Sequence, residues 1–246
     1  MPAPSDATPR SPDDFARLLA TPEPLLLVGG QAVNLWALYY EDRTRDLAPF
    51  VSRDADVLGD RSTLELLGKL AGTKPQFFPL KPPSNELGVV VARDAAGAPL
   101  LIEVLRSVKG ASNRELRVPT YEFGLGAPLI RVQVPGPIIL LQTKLANLAE
   151  IPQVGRQDGR HVAILARVLP AYLSDLRDAA AAGRIDERTL LDFLEQLLKL
   201  ARSPQGRRAW RALRLDPRAF FVGLNPTGLP KLGGFLAQRL TRRPLL

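Results

Sequence analysis

The chain has 246 residues, a formal net charge of +8, 46% hydrophobic and 24% charged residues, no cysteine and one histidine. Disulfides, thiolate metal sites and cysteine nucleophiles are thereby excluded, and a lone histidine leaves little room for a His-rich metal site or a Ser-His-Asp triad. The length allows one large domain or two small ones with a real core, and no apolar run reaches the roughly 20 residues that a membrane span needs.

The excess of Lys and Arg favours polyanionic partners such as nucleotides and nucleic acids. A composition rich in Ala, Arg and Leu with 23 prolines is also what a GC-rich genome produces. The opening MPAPSDATPRSPDD has neither the basic start nor the apolar stretch of a signal peptide, so a cytoplasmic location is expected.

Residues 1–10 are rich in Pro and Ser and are expected to be disordered. Ser11, Pro12, Asp13 and Asp14 read as a helix start, with Phe15, Leu18 and Leu19 facing inward. Residues 25–28 form a short buried strand, Gly29–Gly30 a turn, and 31–40 a helix with Val33, Trp36, Ala37 and Tyr40 on one stripe. A polar loop is expected over 41–53. A second strand carries Asp54, Ala55, Asp56, Val57 and Leu58, followed by a helix over 62–71 opened by Ser62 and Thr63. Strands are expected at 76–80 and 87–92 around a Lys-Pro-Pro turn, and at 100–105, which pairs with 87–92 as a hairpin through DAAGAP. One or two short strands fall within 121–134. Helices then dominate: 137–149, 157–173, 186–201 and 204–213, with short ones near 217–223 and 231–240 and a loose tail over 241–246.

The expected fold class is α/β (α+β), a mixed sheet with flanking helices followed by a helical domain. The predicted boundaries are a disordered tail 1–10, an α/β domain 11–135 and a helical domain 136–240.

The chemistry concentrates in a short region. Residues i and i+2 of a strand share a face, so Asp54 and Asp56 project together with Ala55 opposite. Two like charges that close call for a cation, and hard oxygen ligands suit magnesium or manganese. Nearby glycine amides can hold phosphates. Glu103 is a single acid in an apolar strand, costly to bury without a partner, and a third carboxylate beside the pair would supply one. Three acids could bind two divalent cations, roughly 4 Å apart in such sites, that bridge a triphosphate.

A Gly-Gly turn after a strand, D-x-D on the next strand and one acid on a later strand resemble the nucleotidyltransferase fold. GGQAVNLWA followed by SRDADVLG resembles the minimal nucleotidyltransferase-like proteins of bacteria, relatives of the AbiEii-type toxins of abortive-infection systems, over about residues 25–165. The resemblance implies that Gly29 and Gly30 cradle phosphates and that Asp54 and Asp56 bind metal. It also implies that Glu103 is the third acid, binding metal or activating the acceptor hydroxyl, and that Lys144, in PIILLQTKLANL, contacts phosphates. Arg156-Gln157-Asp158 partly echoes the family's Arg-Lys-Asp segment. Gln31 stands where many polymerase-like members have Ser, and Ser52 is a candidate to supply that hydroxyl to the nucleotide.

The expected activity is metal-dependent transfer of a nucleoside monophosphate from a nucleoside triphosphate to a hydroxyl of RNA, including tRNA, or of protein. The family context implies a toxin–antitoxin or phage-defence role with a cognate partner protein and no membrane partner. Two alternatives stand beside it: a non-catalytic nucleotide- or partner-binding module of the same fold, and a basic RNA-binding protein. The last would use Arg207, Arg208, Arg211 and Arg214, of which the first, third and fourth share a helical face. Plainer readings also stand: Glu103 as an edge-strand acid, Lys144 as a solvent-facing helix residue, His161 packed within the helical domain, and Trp36 and Trp210 in the core.

Overall fold

The computed structural model describes residues 8–79, 81 and 84–240. Most of the expected Lys-Pro-Pro turn, the tail over 241–246 and the first seven residues of the expected disordered segment lie outside them. Arg10, the last residue of that segment, is ordered: it makes an antiparallel bridge to Ser52, with N–H to carbonyl distances of 2.7 and 2.9 Å.

A 3-10 segment, Pro12–Leu19, opens the fold in place of an α-helix. Ser11 caps it as expected, donating from its amide and hydroxyl to the Asp14 carboxylate. Strand β1 (Leu26–Val28) runs directly into helix α1 (Gly29–Tyr39), so the glycine pair is the first turn of the helix and not a separate turn before it. The segment expected to be a loop contains α2 (Glu41–Thr44) and a further 3-10 turn. The cause is Thr44, fully buried, whose hydroxyl donates to the carbonyls of Ala37 and Tyr40 and stitches the short helix onto the end of α1.

Strand β2 (Asp54–Leu58) follows, then α3 (Arg61–Ala71). Its N-cap is Asp60, not Ser62: the Asp60 carboxylate accepts from the Thr63 amide at 3.0 Å, satisfying one of the free donors of the first turn. Strands β3 (Gln76–Phe77), β4 (Glu86–Arg93) and β5 (Pro99–Leu105) come next, β4 and β5 forming the expected hairpin. Helix α4 (Asn113–Leu116), capped by Ser112 and Glu115, precedes the antiparallel pair β6 (Thr120–Leu125) and β7 (Ile130–Pro135).

The remainder is helical: α5 (Pro137–Glu150), α6 (Asp158–Ala181), α7 (Glu187–Arg202), α8 (Pro204–Leu213) and, after a 3-10 turn, α9 (Pro230–Phe235). Helix α6 outruns its expected end because Leu176 and Ala180 continue the buried stripe of Tyr172 and Leu173.

The architecture is mixed α/β. A seven-stranded sheet runs in the order β3-β4-β5-β2-β1-β7-β6 with helices packed against it. β2 is antiparallel to β1 and parallel to β5, while β1 is parallel to β7. The apolar core does not break where the strands give way to helices: one cluster extends from Phe15 to Phe235. Trp36, 3% exposed, ties α1 to the end of β7 by donating from its indole N–H to the Pro135 carbonyl at 2.9 Å. Trp210, 1% exposed, does the same within the helical part, donating to the Ala201 carbonyl. Among the described residues, no helix is long and apolar enough to cross a membrane.

Two glycines with left-handed backbones separate conformational strain from close approach. Gly29 has φ +66° and Gly72 has φ +64°. A Cβ on Gly72 would meet nothing within 4 Å, whereas one on Gly29 would lie 1.7 Å from the Asp56 carboxylate. Gly72→Ala is therefore expected to cost about 1–2 kcal/mol, the left-handed penalty alone. Gly29→Ala is expected to cost on the order of 3 kcal/mol or more, because overpacking adds to that penalty. Urea unfolding of both variants measures the difference; equal losses would mean that Asp56 does not press on Gly29.

Candidate active site

The sheet order brings three short stretches of chain to one place. β1 ends at Val28, opposite Asp56 in β2, so the first turn of α1 starts beside the aspartates. On the other side of β2, Asp56 lies in parallel register with Glu103. Neighbouring strands are roughly 4.8 Å apart, and in-register residues share a face. The burial of β2 alternates as expected, with Asp54 and Asp56 half-buried in the cleft and Ala55 fully buried behind them.

Carboxylate oxygens of Asp54, Asp56 and Glu103 all come within 4.8 Å of one another. β5 is an interior strand, flanked by β4 and β2, so Glu103 is not an edge acid facing water. Three acids this close, without a counter-charge among them, fit the donor set of a hard divalent cation. The three could hold magnesium or manganese.

The acids carry the electrostatic mark of that crowding. Burial, then the Asp54 and Glu103 charges, push the Asp56 carboxyl well above the usual carboxylate range, opposed by Lys144 and the Gly30 amide. Burial and the charges of Asp54 and Glu86 push Glu103 up to about 7. The Gly30 amide thus faces the Asp56 carboxylate, where phosphate contact was expected of it. A Cβ on Gly30 would come within 2.6 Å of the Ser52 hydroxyl, so only glycine fits between them. Ser52, 9% exposed, donates to Asp54 at 3.1 Å and is itself positioned by the Arg10 bridge. Gln31, 1% exposed, donates to the Arg10 carbonyl, which is why its amide belongs to the scaffold.

The opposite wall is cationic and comes from α5 and the start of α6. Lys144 is only 5% exposed, not solvent-facing. Its ammonium donates to Asp158 at 3.0 Å, and Arg156 donates to the other Asp158 oxygen at 2.7 Å. Burial would raise the Asp158 carboxyl, but Lys144 and Arg156 outweigh it and hold it at about 2. The Arg156-Gln157-Asp158 segment is therefore a structural keystone of this wall.

His161 also lies here and not in the helical packing expected for it. Its ring borders Gly30, and it lines the cleft with Lys144 and Arg156. Arg53, Asn85 and Lys109 line the rim. The enclosed space is about 410 Å³, within the range of small-ligand pockets. All seven residues expected in the site border it: Gly29, Gly30, Ser52, Asp54, Asp56, Glu103 and Lys144.

No protein-family model, characterised protein or solved structure matches this chain. The fold and the cleft alone define it: a mixed α/β protein with three converging carboxylates facing a buried basic wall.

Two outcomes follow from the charges. A carboxyl whose folded pKa is raised binds its proton more tightly in the folded state, so its stabilising contribution is present below the unfolded pKa and lost as pH rises through the folded value. For Glu103 that window runs from 4.5 to about 7. The metal-free protein is expected to lose stability across it, on the order of 3 kcal/mol from this group. Denaturant melts in chelator at pH 5 and 8 check the slope, and magnesium or manganese should restore more stability at pH 8 than at pH 5. Asp56→Asn should flatten the slope and abolish the metal effect.

The second outcome concerns the opposite wall. Asp158→Ala leaves the Lys144 charge buried and unpaired and is expected to cost ~3–5 kcal/mol. Arg156→Ala, removing a side chain 40% exposed in that ion pair, should cost under about 1 kcal/mol. Equal losses in the two unfolding curves would contradict the buried pair as the anchor.

Proposed function

We propose that this protein is a metal-dependent nucleotidyltransferase. The observation that carries this reading is the convergence of Asp54, Asp56 and Glu103 from two strands, opposite Lys144 and Arg156. Acids alone would suit many cation sites. Acids on one wall and fixed cations on the other suit a ligand that is itself a metal–polyphosphate complex.

In this reading Asp54 and Asp56 hold magnesium or manganese, with Glu103 completing the oxygen set. The bound cation would supply charge neutralisation at the phosphates and acidify the attacking hydroxyl. The first turn of α1 at Gly29 lets a phosphate chain approach the backbone without a side chain in the way. Ser52 orients Asp54 and offers its oxygen to the nucleotide, and Lys144 lies with its Asp158-bound ammonium along the cleft. The acceptor oxygen attacks the α-phosphorus, the bond to the bridging oxygen of the β-phosphate breaks and pyrophosphate leaves. Glu103 is the carboxylate available to take the hydroxyl proton.

The acceptor is a hydroxyl of RNA or protein. Arg207, Arg208, Arg211 and Arg214 are exposed, and none of the four makes an ion pair with a carboxylate among the described residues, which favours RNA. A toxin–antitoxin or phage-defence role, with a cognate neutralising partner, is the biological setting proposed with it.

Incubation with each α-labelled nucleoside triphosphate, magnesium and either total RNA or a protein extract is expected to label one macromolecular fraction. Asp54→Ala with Asp56→Ala should reduce transfer at least about 100-fold. Triphosphate binding without label transfer would replace the catalytic reading with a binding module of the same fold. RNA binding that ignores both aspartates and magnesium, and weakens steeply with salt, would favour a plain RNA-binding protein.

A further inference from the structure

His161 is the only histidine in the chain and is 4% exposed, on the first turns of α6. Neither of its ring nitrogens has a hydrogen-bond partner. A buried polar group left unpaired costs on the order of 1–3 kcal/mol, and an apolar side chain of similar size would avoid that cost. The fold tolerates the loss at one place only within this wall, since Lys144, Asn147, Arg156 and Asp158 are all bonded to one another.

The position of the ring narrows what it meets. It lines the cleft beside Lys144, and a Cβ on Gly30 would stand 3.2 Å from its Cε1 atom. It therefore flanks the glycine turn at which a phosphate chain approaches. His161 does not belong to the set of mutually close metal-ligating groups, which among the described residues is Asp54, Asp56 and Glu103 alone. Burial and the neighbouring Lys144 hold its pKa well below the usual value, so the ring is neutral and keeps one N–H donor and one free lone pair. A neutral donor walled in by Lys144 and Arg156 suits an anion that needs a hydrogen bond as well as charge.

We infer that His161 is a ligand-binding residue whose ring N–H donates to a phosphate oxygen of the bound polyphosphate, between Lys144 and the Gly29–Gly30 turn. This rests on the nucleotide reading of the cleft and adds to it a phosphate contact on the helical wall.

Because the histidine is unique, ¹⁵N-histidine labelling of the full chain reports this ring alone. The probe is inorganic tripolyphosphate, titrated in saturating magnesium and followed in parallel by calorimetry. The expected result is a saturable shift of the ring nitrogen signals with the calorimetric midpoint. Binding by calorimetry with unmoved ring signals would overturn the inference and leave the nucleotide reading standing. No binding at all would overturn both. A shift of the ring nitrogens on adding magnesium alone would make the ring a cation ligand and also overturn it.

Variants separate binding from packing. His161→Leu is expected to melt no lower than wild type, since no internal hydrogen bond is lost, yet to bind tripolyphosphate about tenfold or more weakly. His161→Gln, which keeps an N–H donor, should recover most of that affinity. A lowered melting temperature with unchanged affinity, or a Gln variant no better than Leu, would assign the ring to packing.

Discussion

Asp56 holds its carboxylate over the Cα of Gly29 and in register beside Glu103, and the rest of the cleft is arranged around that contact. Three carboxyl groups whose oxygens lie within 4.8 Å of one another repel in the absence of a cation. The repulsion is contained by the sheet. β2 sits between β1 and β5 with Val57 and Ala55 fully buried on its other face, so the aspartates cannot swing apart without breaking ladders on both sides. Strain of this kind has a functional logic: a site preloaded with like charges is stabilised by the cation it is built to receive.

The basic wall solves the complementary problem. A lysine 5% exposed needs a fixed partner, and Asp158 supplies it from the start of the next helix. That pair fastens α5 to α6 across the loop joining them and places Arg156 and His161 along the cleft as a consequence. The two walls are also coupled through space. Lys144 favours ionisation of Asp56, and Arg156 favours ionisation of Glu103. The helical part of the chain is accordingly half of the site, and the core that runs unbroken from Phe15 to Phe235 keeps the two halves in place.

Legibility in the sequence followed the range of the interaction. Helix stripes, the β4–β5 hairpin, the D-x-D face and the switch to helices after residue 135 depend on neighbours a few residues apart, and periodicity exposes them. The short helix at Glu41–Thr44 did not show, because its stability comes from one buried threonine reaching back to α1. The ordering of Arg10 did not show either, since its partner Ser52 is 42 positions away and the contact is between backbones. His161 was the least legible residue of the cleft: a single histidine on an apolar helix reads as packing, and only its unpaired nitrogens and its place against Gly30 set it apart. Its spacing three residues after Asp158 was the one local sign.

By itself the sequence determined the mixed α/β class, the pairing of Asp54 with Asp56 on one strand face and the absence of thiol chemistry, because these follow from residue type and from a period of two. Only the tertiary structure decided that Glu103 completes the set, that Lys144 is buried against Asp158 and that Gly30 is wedged between Ser52 and His161. Those facts depend on strand order and on how α5 and α6 dock, which are choices among non-local pairings of similar local pattern. Register across the β2–β5 pair, not spacing along the chain, is what turns three separated acids into one site.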